Sequence, residues 1–271
     1  MILFFAGSEP KKYREILHEG GAENALQSFF SLGIGRQEPC NKEFRNYLLD
    51  SGGFSARMRD VEIDVRKYAE YLNKYNISFA FNLDTNDIEE SLRNQKFLEE
   101  NTNTYIMPVY HGVEWADDKY RDLIDYYCEF YPYIAVGGLA GREGTQDNAD
   151  RFLRYVFSKT RNKTMVHGLG VTSDRLLKTY PFATVDSTSW TAMARFATSR
   201  VHDNDTAKIL AKTRHYSKNL IGEVMFWTNI QKEITTLWKK RGITWGELDK
   251  PKFLEYAKNR PTYHEWKNKK H

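Results

Sequence analysis

Short apolar runs rich in β-branched and aromatic residues recur along this chain, and between them lie segments with helical periodicity. The runs are Ile2–Ala6, Tyr47–Leu49, Ser78–Leu83, Tyr105–Val109, Tyr133–Val136, Thr164–Gly168 and Ala183–Val185. The helical patterns cover Val65–Tyr75, Ile88–Glu99, Tyr120–Phe130, Asn148–Thr160 and Asp174–Thr179. Alternating strands and helices predict a parallel sheet with crossover helices. Seven such strands suit an α/β (β/α)8 TIM barrel better than a doubly wound sheet, although no eighth strand is evident. From Thr191 onward the pattern is mostly helical, clearest at Ala207–Thr213 and Ile221–Lys240. No repeat or linker demands a second domain. The expected division is a catalytic barrel over 1–204 and a basic helical part over 205–271, integral to the same domain.

What ends each run narrows the chemistry. Asp50-Ser51-Gly52-Gly53-Phe54 follows the second, Asn82-Leu83-Asp84 closes the third and Tyr110-His111-Gly112 follows the fourth. Gly137-Gly138-Leu139 follows the fifth, His167-Gly168-Leu169-Gly170 the sixth and Asp186-Ser187-Thr188 the seventh. In a barrel of this kind the C-terminal ends of the strands converge on the active site. Three carboxylates, two histidines and several glycines are therefore expected at one mouth.

At 271 residues the chain can bury a sizeable core as one domain. No apolar run approaches the roughly 20 residues that span a bilayer. The opening Met1-Ile2-Leu3-Phe4-Phe5-Ala6-Gly7 is too short and lacks the basic start of a signal peptide. Cys40 and Cys128 have no metal-like spacing, and the expected setting is a reducing cytoplasm. The net charge of +4 hides an asymmetry: from Asp205 onward 15 Lys/Arg face 7 Asp/Glu, a net of +8, so the first 204 residues sum to −4. A basic third on an acidic body suits a polyanion-binding extension, and equally a set of solvated helix faces.

Carboxylates gathered in one pocket can divide into nucleophile and general acid/base, because their surroundings push their pKa values apart. Glycosyl transfer with retention needs one carboxylate to attack the anomeric carbon and another to move a proton on the leaving group. Asp50, Asp84 and Asp186 supply that pair and leave one to read the N–H groups of a guanine-type base. A lone strand-end aspartate also reads as a helix N-cap, and Asp84 before Thr85-Asn86-Asp87 fits that description. Gly137 and Gly138 let backbone amides approach a planar base, or form an ordinary turn. Phe54 is a stacking surface or a core residue, and His111 and His167 are ligand-facing or structural.

The run Leu48-Leu49-Asp50-Ser51-Gly52-Gly53-Phe54 resembles the Asp-Ser-Gly-Gly-aromatic signature of the tRNA-guanine transglycosylases. In the same order follow a glycine pair before leucine (Gly137-Gly138-Leu139), a Gly-x-Gly (Gly168-Leu169-Gly170) and an aspartate after the seventh run (Asp186 in Thr184-Val185-Asp186-Ser187). The resemblance spans roughly Tyr47 to Thr188. It implies that Asp186 is the nucleophile that forms a covalent glycosyl-enzyme and that Asp50 is general acid/base beside the base. It places Asp84 on the guanine-type face, Phe54 and His167 on either side of the base, and the Gly137 and Gly138 amides on its carbonyl. Ser51, Gly52 and Gly168 come with the motifs as base contacts, and His111 falls where the family usually has glutamine.

The departures carry information too. The tRNA enzymes hold zinc with three cysteines and a histidine near the C-terminus, whereas this chain has no cysteine after Cys128. Ser187 stands where cysteine usually follows the nucleophile. Compact zinc-free relatives form the DNA-modifying branch, which includes phage enzymes. The resemblance thus implies exchange of guanine in DNA for a free 7-deazaguanine base, such as 7-cyano-7-deazaguanine, with no metal, nucleotide cofactor or membrane partner. The alternatives are a zinc-free enzyme acting on tRNA, and a barrel that binds a nucleobase or nucleic acid without catalysis. Oligomeric state is left open.

Overall fold

The apolar opening of the chain forms β1 (Ile2–Ala6), paired in parallel with β2 (Asn24–Ser28) on one side and β9 (Thr184–Ser187) on the other. Continuous apolar runs are what parallel strands covered on both faces require. The computed structural model describes residues 1–138, 146–161, 163–192, 216–257 and 260–270. The remaining strands are β3 (Asn46–Asp50), β4 (Phe79–Phe81), β5 (Tyr105–Met107), β6 (Val109–Tyr110), β7 (Tyr133–Val136) and β8 (Met165–Gly168). Their spatial order is β5-β4-β3-β2-β1-β9-β8-β7-β6, with every pairing parallel.

The two ends of that sheet, β5 and β6, are separated by Pro108 alone. Proline has no N–H to donate and interrupts the ladder. Its carbonyl still accepts from Ala135 N at 2.9 Å, while Met107 O accepts from Asn82 N at 3.0 Å on the opposite side. β5 and β6 are thus two halves of one strand lying between β4 and β7, and the sheet closes into an eight-stranded barrel of the expected TIM type.

Helices follow most strands: α1 (Lys11–Glu19), α2 (Gly53–Arg57), α3 (Val65–Lys74), α4 (Ile88–Asn101), α5 (Gly112–Ala116), α6 (Leu123–Phe130), α7 (Gln146–Thr160) and α8 (Asp174–Thr179). After β9 come a 3-10 turn, Ser189–Thr191, and then α9 (Tyr216–Lys240), α10 (Lys250–Ala257) and α11 (Tyr263–Lys270). The expected helix at Ala207–Thr213 and the residue Leu139 lie outside the described residues.

The strand that sequence reading lacked is β2. Its residues are buried, yet Asn24 and Gln27 are polar, and the chain from Phe29 to Arg45 forms turns rather than a crossover helix. Gln27 is satisfied inside the protein: Nε2 donates to Ser8 O at 3.1 Å, and Oε1 accepts from Cys40 N at 2.8 Å and from the Tyr47 hydroxyl at 3.1 Å. Buried polar groups persist where they are paired in this way.

The C-terminal helices belong to the barrel wall and floor. On α9, Gln231 Oε1 accepts from Leu3 N at 2.7 Å, and Trp238 Nε1 donates to Leu177 O at 2.9 Å. Phe253 of α10 packs against Phe79, Tyr105 and Tyr133, the first residues of β4, β5 and β7. That ring covers the N-terminal end of the barrel, so the opposite end is the mouth. No helix among the described residues is long and apolar enough to cross a membrane.

Candidate active site

The three aspartates expected from the sequence stand at the mouth, each at or just past the C-terminal end of its strand: Asp50 on β3, Asp84 after β4 and Asp186 on β9. A fourth carboxylate, Glu9, joins them from the loop after β1, where Oε1 accepts from Ser28 N at 3.0 Å. It went unnoticed in the sequence although it too follows a strand end, in Ala6-Gly7-Ser8-Glu9.

Their environments differ in kind. Burial pushes the Asp50 carboxyl up to about 7 against a bond from the Gly52 amide, and the charges of Asp84, Asp186 and Glu9 push it the same way. For Asp84, burial acts upward but is outweighed: the His111 hydrogen bond, the His111 charge and Arg57 hold it below its ordinary range. His111 Nε2 lies 3.0 Å from Asp84 Oδ2, and Arg57 Nη1 donates to the Asp84 carbonyl at 2.6 Å. Burial acts to lower the His111 ring, but Asp84 and then Glu114 raise it above its ordinary value, so each of the two favours the charged form of the other. Glu114 Oε2 accepts from His111 N at 2.7 Å and fixes the start of α5. The helix-capping alternative for Asp84 does not apply, since Asp87 caps α4 by accepting from Glu89 N and Glu90 N.

Asp186 is held differently again. Oδ1 accepts from Gly170 N at 2.8 Å and lies 3.1 Å from His167 Nε2. Among the described residues no hydrogen bond reaches Oδ2. One carboxyl oxygen is therefore anchored by two groups, and the other has no such bond among the described residues.

Several residues expected to touch a base are used otherwise. His167 does not flank the mouth: its ring is fully buried between Phe4 and Phe81, and it supports Asp186 from below. Ser51 is fully buried and accepts from Gly53 N at 3.3 Å, shaping the turn that starts α2. The Gly137 amide donates to Tyr110 O at 3.1 Å within the sheet and is not offered to a ligand. Its lack of a side chain matters because a Cβ there would sit 2.5 Å from His111 Cε1. Gly168 is likewise a packing glycine, hemmed in by Val171 and Phe182. Gly52, at φ 78°, makes room for Ser28 and Phe30 in a conformation that L residues avoid. Gly138 is exposed at φ 77° beside His111, as an approach to a ligand requires.

Phe54 is exposed rather than packed in the core. It sits on α2 with 71% of its surface exposed, and Met58, four residues on, is exposed to 72%. Single apolar residues on a surface need no explanation, but Val113 on α5 is exposed as well, so three such side chains follow strands at the mouth end. A cavity of about 610 Å³ lies elsewhere: between α4, α6 and residues 260–264, with Gln95, Glu99, Tyr126, Tyr131 and Arg260 among its lining. None of the four mouth carboxylates lines it. The convergent, electrostatically divided carboxylates thus make the mouth, not that cavity, the candidate site. Among the described residues no group of three or more His, Cys, Asp or Glu is arranged to hold a metal ion.

No family model matches the chain. It is similar to uncharacterized protein 306 of Sulfolobus islandicus rod-shaped virus 1, with 26% identity over 160 residues, 55% of this chain and 50% of that protein. The chain thus spans about half the length of the curated relative it matches.

Proposed function

We propose that this chain is a base-exchange transglycosylase that replaces guanine in DNA with a free 7-deazaguanine through a covalent aspartyl-glycosyl intermediate. The observation that carries this reading is the division between two carboxylates at one mouth. Asp186 is anchored through Oδ1, with no hydrogen bond to Oδ2 among the described residues, while burial and neighbouring charges raise Asp50 to about 7. A carboxyl near 7 can give a proton and take it back, as acid/base work at neutral pH requires.

In the first step Asp186 Oδ2 attacks the anomeric carbon as its bond to the guanine nitrogen breaks. The bonding electrons leave with the base, which takes the proton from Asp50. In the second, Asp50 accepts the ring N–H proton of the incoming deazaguanine. That nitrogen then attacks the same carbon and Asp186 departs. Two displacements retain configuration, and one glycosidic bond replaces another. The exposed Phe54 ring offers the base a stacking face. The Asp84–His111 pair presents an acceptor and a donor to its polar edge. A guanine within a duplex has to leave the stack before Asp186 can reach its sugar.

The test offers labelled 7-cyano-7-deazaguanine with plasmid DNA and with bulk tRNA. Label is expected in DNA, and an enzyme–DNA adduct is expected to survive denaturation. Asp186→Asn is expected to lose both by at least 1,000-fold, on the order of the cost of removing a nucleophile. Label in tRNA alone would move the substrate to tRNA. Base binding without label or adduct in either polymer would leave a binding barrel.

A further inference from the structure

Beneath Asp186 a file of polar side chains runs into an otherwise apolar interior. His167 Nδ1 lies 2.7 Å from Thr184 Oγ1, and the Tyr133 hydroxyl is hydrogen-bonded to that same oxygen and lies 3.5 Å from Nδ1. All three side chains are essentially inaccessible to solvent, with Phe4 and Phe81 against the imidazole. Burying such groups costs stability unless each is paired, and apolar side chains would fill the space at less cost. A file of this kind therefore calls for a reason.

The reason lies in its protons. An ionised carboxylate only accepts, so the hydrogen shared by His167 and Asp186 belongs to Nε2. In a neutral imidazole Nδ1 is then a lone pair, and something must donate to it. Thr184 has one hydroxyl hydrogen, so when it donates to Nδ1 its oxygen accepts from the Tyr133 hydroxyl. Burial pushes the Tyr133 pKa upward, so that hydroxyl keeps its hydrogen and serves as a fixed donor. If the threonine hydrogen turns the other way, Tyr133 faces Nδ1 directly. In either arrangement a hydroxyl hydrogen points at Nδ1.

We propose that Tyr133 and Thr184 lock His167 as the neutral Nε2–H tautomer, and that this lock, with the Gly170 amide, orients Asp186 so that Oδ2 faces the anomeric carbon. Tyr133, Thr184 and His167 are positioning residues: they act through Asp186 and touch no substrate. Their role in the reaction rests on the proposed nucleophilic part of Asp186, whereas the tautomer does not.

Two measurements keep those claims separate. In protein labelled with 15N-histidine, the His167 ring is identified by its loss in His167→Gln. Its Nδ1 is expected at the shift of an unprotonated acceptor and its Nε2 at that of a protonated nitrogen. Thr184→Val, with circular dichroism confirming the fold, is expected to lose the single tautomer, and Thr184→Ser to restore it. An Nδ1–H tautomer or an imidazolium in the wild type, or an unchanged ring in Thr184→Val, would overturn the lock. In the exchange assay Thr184→Val is expected to lower kcat about 10- to 100-fold, with KM within about twofold, as misorienting a reacting group does. Thr184→Ser should recover most of it. An unchanged kcat, or a loss confined to KM, would refute the positioning role. If the wild type exchanges no base in any polymer, the proposed function fails while the ring spectrum still decides the tautomer.

Discussion

Asp50 shows how far a single side chain can be set apart by its surroundings. Its carboxyl is raised from 3.8 to about 7, first by burial and then by three neighbouring carboxylates. Between those two values the folded protein binds a proton that the unfolded chain releases. The stability linked to this group is present below pH 3.8 and lost as pH rises through about 7. Asp50→Asn, which cannot ionise, should therefore raise Tm less at pH 5 than at pH 8. The gain there should be on the order of 2 kcal/mol, once partial solvent access is allowed for. Equal Tm gains at the two pH values would refute the raised pKa. The aspartates were legible in the sequence because strand ends announce themselves in the chain. Gly170 was visible only as part of a motif, and the roles of Thr184 and Tyr133 were not legible: their contacts join three separate strands and a loop, and no spacing along the chain encodes that meeting. His167 was visible, but its burial reversed the direction in which it was expected to face.

At the level of elements, most strands and helices follow the apolar periodicity closely, and β2 shows where that signal fails. Its polar residues are paid for by hydrogen bonds to Ser8, Cys40 and Tyr47, so the strand reads as loop until its neighbours are known. The lack of a crossover helix after it removes the alternation that marked the others. The end of β7 carries a sharper test. A methyl at Gly137 would strike the His111 ring and drive it off Asp84, without straining the backbone. Gly137→Ala is therefore expected to cost about 1–3 kcal/mol in denaturant unfolding, as overpacking does, and to raise KM for the free base. In a His111→Ala background the same substitution should cost measurably less. Identical costs in both backgrounds would show that the ring is not what the glycine accommodates.

Across the whole molecule, the basic C-terminal third meets the acidic body it was contrasted with. Lys267 pairs with Asp122 at 2.9 Å, Lys270 with Glu129 at 3.7 Å and His264 with Glu89 at 2.8 Å, and Arg260 pairs with Glu99. The charge asymmetry was legible; its internal partner was not, because the two regions lie more than 100 residues apart. These pairs tie residues 260–270 to α6 and to α4. Lys267→Ala with Lys270→Ala should lower stability by about 1 kcal/mol or less, and should leave the slope of log Kd against log salt for DNA unchanged. A slope shallower by about two would return these lysines to the nucleic acid.

The seam at Pro108 has a consequence of its own. Where most sheets end in a row of unpaired amides and carbonyls, this one meets itself across a single residue. Among the described strands, a visiting strand, whether from a second copy or from a misfolded chain, finds no open edge to zip onto. The chain can present a crowded, polar mouth without also offering the template on which fibrils grow.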